Sequence, residues 1–512
     1  MRAGARMQAL MSSSRCIAAA TVAWVVLVAA PGRADTTAQN LDKYHRLRQR
    51  LDAEFASVGP GQGQSQPAPE RTDSQGLMKW GDGTIALGFY LGVLATEHYM
   101  LANPAIFPGA GDATQLDNTR EELYYALLAL ERLDNSADAA FPSPCTTTPA
   151  LNGFFLRDDV PADFYTNFPG ITTIQSDFID PTVTNKEESQ DQVYHVQHGL
   201  ALVVALVPAS VVVHDKPLRA WAIEQAQRIT QHFAQGDWEI RNPACGNRAV
   251  ARGDNAIAYS FGETLAASYV TAGAFSPTTD PVWSTIWDTL RQPTNPAYSD
   301  VDNLHMALAI MAVGDGYGAD TPAVIATLAA TQDWPLYPLL HRALHPTSAG
   351  FCTTAPAVNA RARAMLDELP STGEPACPGP TPATHGFTTH NRFIRGKDQA
   401  YVGPAGCVGI RYHGLDYMLL HNLYAIATPG TWNGDPNADP CAVIAVDGAA
   451  TLGDAGAPSD AMGGTGSTSS ASGCACNVSD RGMPTWPLFG IMLAWIVRRR
   501  RYAIDRISSA RR

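Results

Sequence analysis

From residue 84 onward, apolar residues recur every three to four positions in long blocks, and loops rich in Pro, Gly, Asn and Asp separate them. That period marks helices that bury one face or more. It predicts helices over Thr84–Leu101, Arg120–Leu133, Ser189–Val207, Leu218–Gln235, Ala256–Ala272 and Pro281–Leu290. Further helices are predicted over Asp302–Val313, Thr321–Thr331, Pro335–Leu344, Pro356–Leu369 and Leu415–Ala427, with Pro or Asp at many of their starts. A charged helical pattern precedes them over Leu41–Phe55, followed by a Gly/Pro/Gln/Ser stretch from Val58 to Gln75 that reads as linker. Strand signals are scarce. Val211-Val212-Val213 is a short β-branched run, and residues 152–174 read as a small sheet or a long ordered loop.

The helical segments are of two kinds. Those at 84, 189, 256, 302 and 415 are apolar or small-residue-rich, with Gly88, Gly92, Gly199 and Gly262 inside them. Those at 120, 218, 281 and 356 carry charge along one face. Alternation of all-round apolar and one-faced helices is what an inner and an outer layer require. The pattern predicts an all-α domain, specifically an (α/α) toroid of about six helical hairpins, with an open solenoid or irregular bundle as alternatives. No strict sequence repeat supports the solenoid.

Composition changes this picture mainly at the ends. Arg2, Arg6 and Arg15 precede an uncharged apolar run from Ile17 to Ala30, and Gly32-Arg33-Ala34 supplies small residues for cleavage before Asp35. Residues 1–34 therefore read as a secretory signal, with an N-terminal anchor as the alternative. Residues 35–75 form an N-terminal helix and linker, 76–445 the toroid domain, and 446–473 a low-complexity linker. Then come Gly473-Cys474-Ala475-Cys476, a short apolar segment from Trp486 to Val497, and Arg498-Arg499-Arg500-Arg501. This order resembles the MYXO-CTERM surface-sorting tail of myxobacteria and their relatives. The resemblance covers residues 474–512 and implies export, processing near Cys474 by sorting machinery, and cell-surface or outer-membrane retention or release. Such tails stop at the Arg block, whereas Tyr502–Arg512 continue here. An ordinary C-terminal membrane anchor is the alternative.

The formal net charge is −12, and only five basic residues are Lys. Residues 1–34 carry four Arg and residues 477–512 a net +6, so the middle of the chain is close to −22. A domain so acidic has no means of neutralising phosphates, which excludes a nucleic-acid partner and disfavours acidic polymers. Six Cys lie in that middle: Cys145, Cys245, Cys352, Cys377, Cys407 and Cys441. In an exported chain an even number reads as disulfides. Proximity pairs Cys352 with Cys377 and Cys407 with Cys441, leaving Cys145 with Cys245.

Candidate chemistry gathers at the starts of the inner helices. Trp80 and Asp82 open the first, and Glu188 and Asp191 open the second after a loop holding Arg157 and Asp158. Asn255, Tyr259 and Glu263 share a face of the third, Asp302 and His305 open the fourth, and Asp416 the last, with His390 and Arg392 upstream. Asp, Asn and Ser at helix starts also serve as plain N-caps. Together, however, aromatics, carboxylates and basic groups have the composition of a carbohydrate cleft. Glycoside chemistry needs one protonated and one ionised carboxyl, which points to Asp82 with Asp191 or Glu188 as catalytic pair. The arrangement resembles six-hairpin glycosidases and polysaccharide lyases in architecture only. A lyase would draw its base and cation from His390, Arg392, Tyr259 or His305.

The function expected is binding and cleavage of a neutral carbohydrate polymer, the alternative being a non-catalytic surface protein that binds glycan or protein. No cofactor is required by any motif, though Ca²⁺ suits so acidic a domain. Asp191, His195 and His198 fall on one helical face at metal-ligand spacing, and a buried hydrogen-bonded cluster explains them better. Arg342 between His341 and His345 stands where a zincin needs Glu. Serine-hydrolase, phosphate-loop and dinucleotide fingerprints are missing from the sequence.

Overall fold

The computed structural model describes residues 35–140, 151–180, 186–235, 240, 291–295, 301–314, 320–332, 334–346, 348, 350–369 and 410–432. The chain divides into two units, Met1–Ala455 and Gly456–Arg512, and every described residue belongs to the first. The signal segment, the tail with Cys474, Cys476 and Arg498–Arg501, and the helices expected at 256–272 and 281–290 lie outside the described residues.

The described part is mostly α-helical: α1 (Thr37–Glu54), α2 (Gly83–Ala102), α3 (Ala113–Ala140), α4 (Gln190–Leu206), α5 (Leu218–Gln235), α6 (Val301–Val313), α7 (Thr321–Gln332), α8 (Leu336–Leu344), α9 (Phe351–Glu368), α10 (Leu415–Ala427) and the short α11 (Pro429–Trp432). Six short strands accompany them: β1 (Glu70–Thr72), β2 (Leu77–Lys79), β3 (Thr173–Gln175), β4 (Val212–Val213), β5 (Lys216–Pro217) and β6 (Ile410–Tyr412).

Burial separates the helices into two kinds. Residues 83–101 of α2 are all buried, as is nearly all of α4 and α10. By length and composition α2 is apolar enough to cross a membrane, yet 94% of that stretch is buried inside the protein. By contrast, α3 buries one stripe: Leu123, Ala126, Leu127, Leu130, Leu133 and Ala137. Such a stripe suits a helix lying over others.

Among the described residues α2 packs on α4, α4 on α6, α6 on α8, α8 on α10, and α10 on α2. Helix α3 covers α2, α5 covers α4, α7 covers α6 and α8, and α1 and α9 cover α10. Glycines set the closest crossing. A Cβ on Gly88 would stand 2.1 Å from the His195 carbonyl oxygen, and one on Gly199 would stand 2.3 Å from that of Gly88. Only hydrogen side chains allow that approach. Contacts then advance together: Gly88 meets His195 and Val196, Leu91 meets Gly199, and Gly92 meets Leu202. So α2 and α4 run parallel. Gly92 against Leu419 and Thr96 against Asn422 give α10 the same direction.

The strands tie these helix starts together. The sheet order is β3-β2-β1-β6, with β1 antiparallel to β2 and β6, and β2 parallel to β3. Strand β2 leads into α2 and β6 into α10. The segment leading to α4 is held outside this sheet, by an isolated bridge of Leu156 with Glu187 and by Arg157 N–H donating to Lys186 O at 3.0 Å. Residues 58–75, linker-like by composition, pack into this end, where Ser65, Gln66 and Ala68 have no exposure.

Two helices depart from the periodicity. Helix α3 extends past Arg120–Leu133 at both ends. Helix α9 starts at Phe351 rather than Pro356, and the proline lies inside it. Burial of Phe351 and Ala355 on one face outweighs the backbone bond that Pro356 cannot donate.

Beneath α1 lies a buried ion network. Arg48 Nε donates to Glu97 at 2.9 Å, and its Nη atoms reach Glu122 at 3.0 Å and Asp52 at 3.1 Å. Tyr44 and Thr119 also donate to Glu97. Burial alone would raise the Glu97 carboxyl, but Arg48 beside it brings it below the usual value. Cys352 on α9 is disulfide-bonded.

Candidate functional site

The starts of α2, α4, α6 and α8 meet at one end. His195 on the second turn of α4 and His305 on the second turn of α6 place their Nε2 atoms 2.9 Å apart. Phe89 of α2 stacks on His195 with ring centres 5.4 Å apart, and Trp334 and Tyr337 at the start of α8 flank His305. All of these side chains are buried. His198, also packed on Phe89, has no hydrogen-bond partner, and burial holds it well below the ordinary imidazole value. The face expected from Asp191, His195 and His198 is thus a buried aromatic and imidazole cluster. Among the described residues no group of three or more His, Cys, Asp or Glu is placed to hold a metal ion.

Outside that cluster lies a polar rim. Asp82 occupies the N-cap position of α2, makes no capping hydrogen bond and is partly exposed. The next loop brings Asp177, whose carboxylate oxygens lie 3.7 and 3.8 Å from where a Cβ on Gly81 would stand. Arg157 Nη1 is 3.9 Å from that carboxylate, and Arg157 Nε donates to Glu187 O at 2.8 Å. Gln192 of α4 donates to Gly81 O at 3.4 Å. Asp82 and Asp177 therefore share one rim, with the Arg157 side chain, 4% exposed, buried behind Asp177.

Asp158 lies under it. Val160 N–H and Asp177 N–H donate to its carboxyl at 3.2 and 3.0 Å, and Ser176 Oγ donates as well. Burial pushes Asp158 up to about 7 despite those donors, and the Asp177 charge adds to the rise. A carboxyl that holds its proton near neutrality thus stands one peptide away from a half-buried carboxylate.

The other sequence candidates are placed differently. Trp80 has no exposed surface: its Nε1 donates to Gln66 O at 3.2 Å and its ring meets Phe164 edge-on. Glu188 is fully buried and accepts from Phe155 N–H at 3.2 Å. Asp191 accepts from Gln192 N–H at 3.1 Å and from Ser189 Oγ. Asp416, in the first turn of α10, is 4% exposed and burial pushes its carboxyl well above the usual value. Asp302 is the second residue of α6. Tyr259, Glu263, His390, Arg392, Cys145, Cys245, Cys377, Cys407 and Cys441 lie outside the described residues. Asp177 carries no motif that would single it out. Its mark is its place just past β3, a strand legible only through its partner.

A concavity sits away from this rim, toward the far end of α10, lined by Thr37, Asn40, Arg363, His421, Tyr424 and Trp432, among others. No protein-family model matches this chain, and no curated protein or solved structure does either.

Proposed function

We propose that this chain is an exported, surface-held (α/α) toroid that binds and cleaves a neutral carbohydrate polymer at the end where its inner helices start. The order of helix packing, returning from α10 to α2, supports the toroid. The observation that carries the functional reading is the rim of Asp82 and Asp177, backed by the buried Arg157, above the proton-holding Asp158. Glycoside cleavage requires carboxyls of opposite protonation, and hydroxyl recognition requires such mixed donors and acceptors. Asp82 and Asp177 are the carboxylates a polymer can reach. Export and C-terminal processing rest on the signal-like start and on the Cys474–Arg501 tail.

A second reading has its own support. Asp158, Glu188 and Asp191 each accept hydrogen bonds from backbone N–H groups, as carboxylates in purely structural roles do. On that reading the rim binds glycan without cleaving it.

The test is incubation of the full-length chain with a panel of neutral polysaccharides. New reducing ends without unsaturated products identify a hydrolase, and they should vanish in Asp82→Asn and in Asp177→Asn. Polysaccharide binding without either product leaves the binding reading standing. Neither binding nor product across the panel removes both.

A further inference from the structure

The β4–β5 hairpin lies at the opposite end from the rim, because it connects the last turn of α4 to the first of α5. Its turn residues, His214 and Asp215, both adopt left-handed backbone with φ of 47° and 62°. Hairpin turns with two such residues favour Asn and Gly, so a histidine there costs stability. The imidazole is nonetheless held firmly. His214 Nε2 lies 2.7 Å from Glu121 Oε1, and its ring meets Tyr124 edge-on at 4.7 Å.

Around that turn an aromatic surface continues. Tyr125 packs on Tyr124 at 5.2 Å and lies 6.3 Å from His214, its ring tilted 49° to the imidazole. Trp221 underlies Tyr124 at 5.5 Å, and Lys216 Nζ stands 5.0 Å over its ring. The His214 side chain is 52% exposed and Val212 is 56% exposed. The result is a group of partly exposed Tyr124, Tyr125 and His214 rings over the buried Trp221, beside a carboxylate and an ammonium.

We propose that this patch is a second carbohydrate-binding site, one that takes a neutral pyranose chain across the Tyr125 and His214 rings. The inference rests on the carbohydrate reading above. A sugar ring offers an apolar C–H face to an aromatic plane and hydroxyls to the groups around it, which is the combination present. Charge selects the neutral ligand. Glu121 and Lys216 oppose each other within the patch, while the domain near −22 repels acidic polymers. Apolar area argues against a protein partner. Val58, Leu151 and Val212 are the exposed large hydrophobics among the described residues, too few for the buried centre of a stable protein interface.

The test is retardation of the full-length chain in native gels cast with soluble starch, β-glucan or mannan. Tyr125→Ala and His214→Ala should each weaken affinity about tenfold, whereas Tyr125→Phe, which keeps the ring, should stay within about twofold. Far-UV circular dichroism of the three variants should match the parent under the gel conditions, which separates lost binding from lost folding. If Tyr125→Ala and His214→Ala bind like the parent, the patch is no site and the carbohydrate reading survives. If Tyr125→Phe loses as much as Tyr125→Ala, ring stacking is refuted. If the parent is retarded by none of the polymers, this inference and the reading beneath it fall together.

Discussion

Gly88→Ala sets two effects of opposite sign against each other in the second turn of α2. Alanine is the better helix former, which favours the variant by about 1 kcal/mol. Against this, the new methyl would stand 2.1 Å from the His195 carbonyl oxygen, 2.3 Å from its carbon and 2.8 Å from Val196 N. Those are backbone atoms of α4 and cannot rotate away. Carbon contacts settle near 3.5 Å, so the two helices must part by more than about 1 Å along their best-packed stretch. Overpacking a core costs about 1–3 kcal/mol where side chains can adjust, and here none can. The net expectation is a loss of about 3 kcal/mol after the propensity gain. Gly92→Ala is the internal control. There the nearest atoms are Leu202 Cδ1 at 3.0 Å and Leu419 Cδ1 at 3.3 Å, ends of flexible side chains. That variant should fall within about 1 kcal/mol of the parent. Urea unfolding followed by far-UV circular dichroism reads both, from the midpoint at a common slope. A Gly88→Ala chain as stable as the parent, or more so, would refute the backbone contact between α2 and α4.

Trp80→Ala should cost about 3–5 kcal/mol by urea unfolding, since the indole is wholly enclosed; a stable variant lacking only glycan binding would instead make Trp80 a ligand contact. His421 is held down to about 4, first by burial, with its Nδ1 bonded to Asn422 and Tyr44 stacked on its ring. Its folded value lies below the unfolded one, so the folded chain binds fewer protons, and stability present above about pH 6.5 is lost as pH falls toward 4. The loss is on the order of 3 kcal/mol. Urea midpoints measured across that range should fall less steeply for His421→Gln, and an unchanged slope would sink the assignment.

For α2, α4, α10 and α3 the helix type was legible in the sequence, because it depends on local composition, whereas the wholly buried α8 was assigned to neither layer. The apolar content of 84–101, 189–207 and 415–427 matches the helices buried on all sides, and the one-faced charge of 120–133 matches the striped α3. Gly88 and Gly199 could be noticed but not paired, because a close crossing is a property of two helices. Composition misled over residues 58–75. Their Gly, Pro and Gln read as solvated linker, yet Gln66 donates to Arg157 O at 2.6 Å and β1 pairs with a strand more than 300 residues away.

The candidate site divides in the same way. Carboxylates near helix starts follow from sequence, because an Asp or Ser before an apolar block is a local signal. Which of them face a ligand does not. Glu188 turns to Phe155, Asp191 back onto its own first turn, and Asp158 beneath Asp177, while Asp82 and Asp177 remain at the rim. For Glu188 and Asp158 the outcome depends on hydrogen bonds to other segments of the chain, and the pattern of apolar residues carries no record of such partners. Sequence alone determined that the chain is helical, acidic and layered. Tertiary structure decided which of its acids are structural and which are within reach, because burial and partner geometry exist only once the helices have packed.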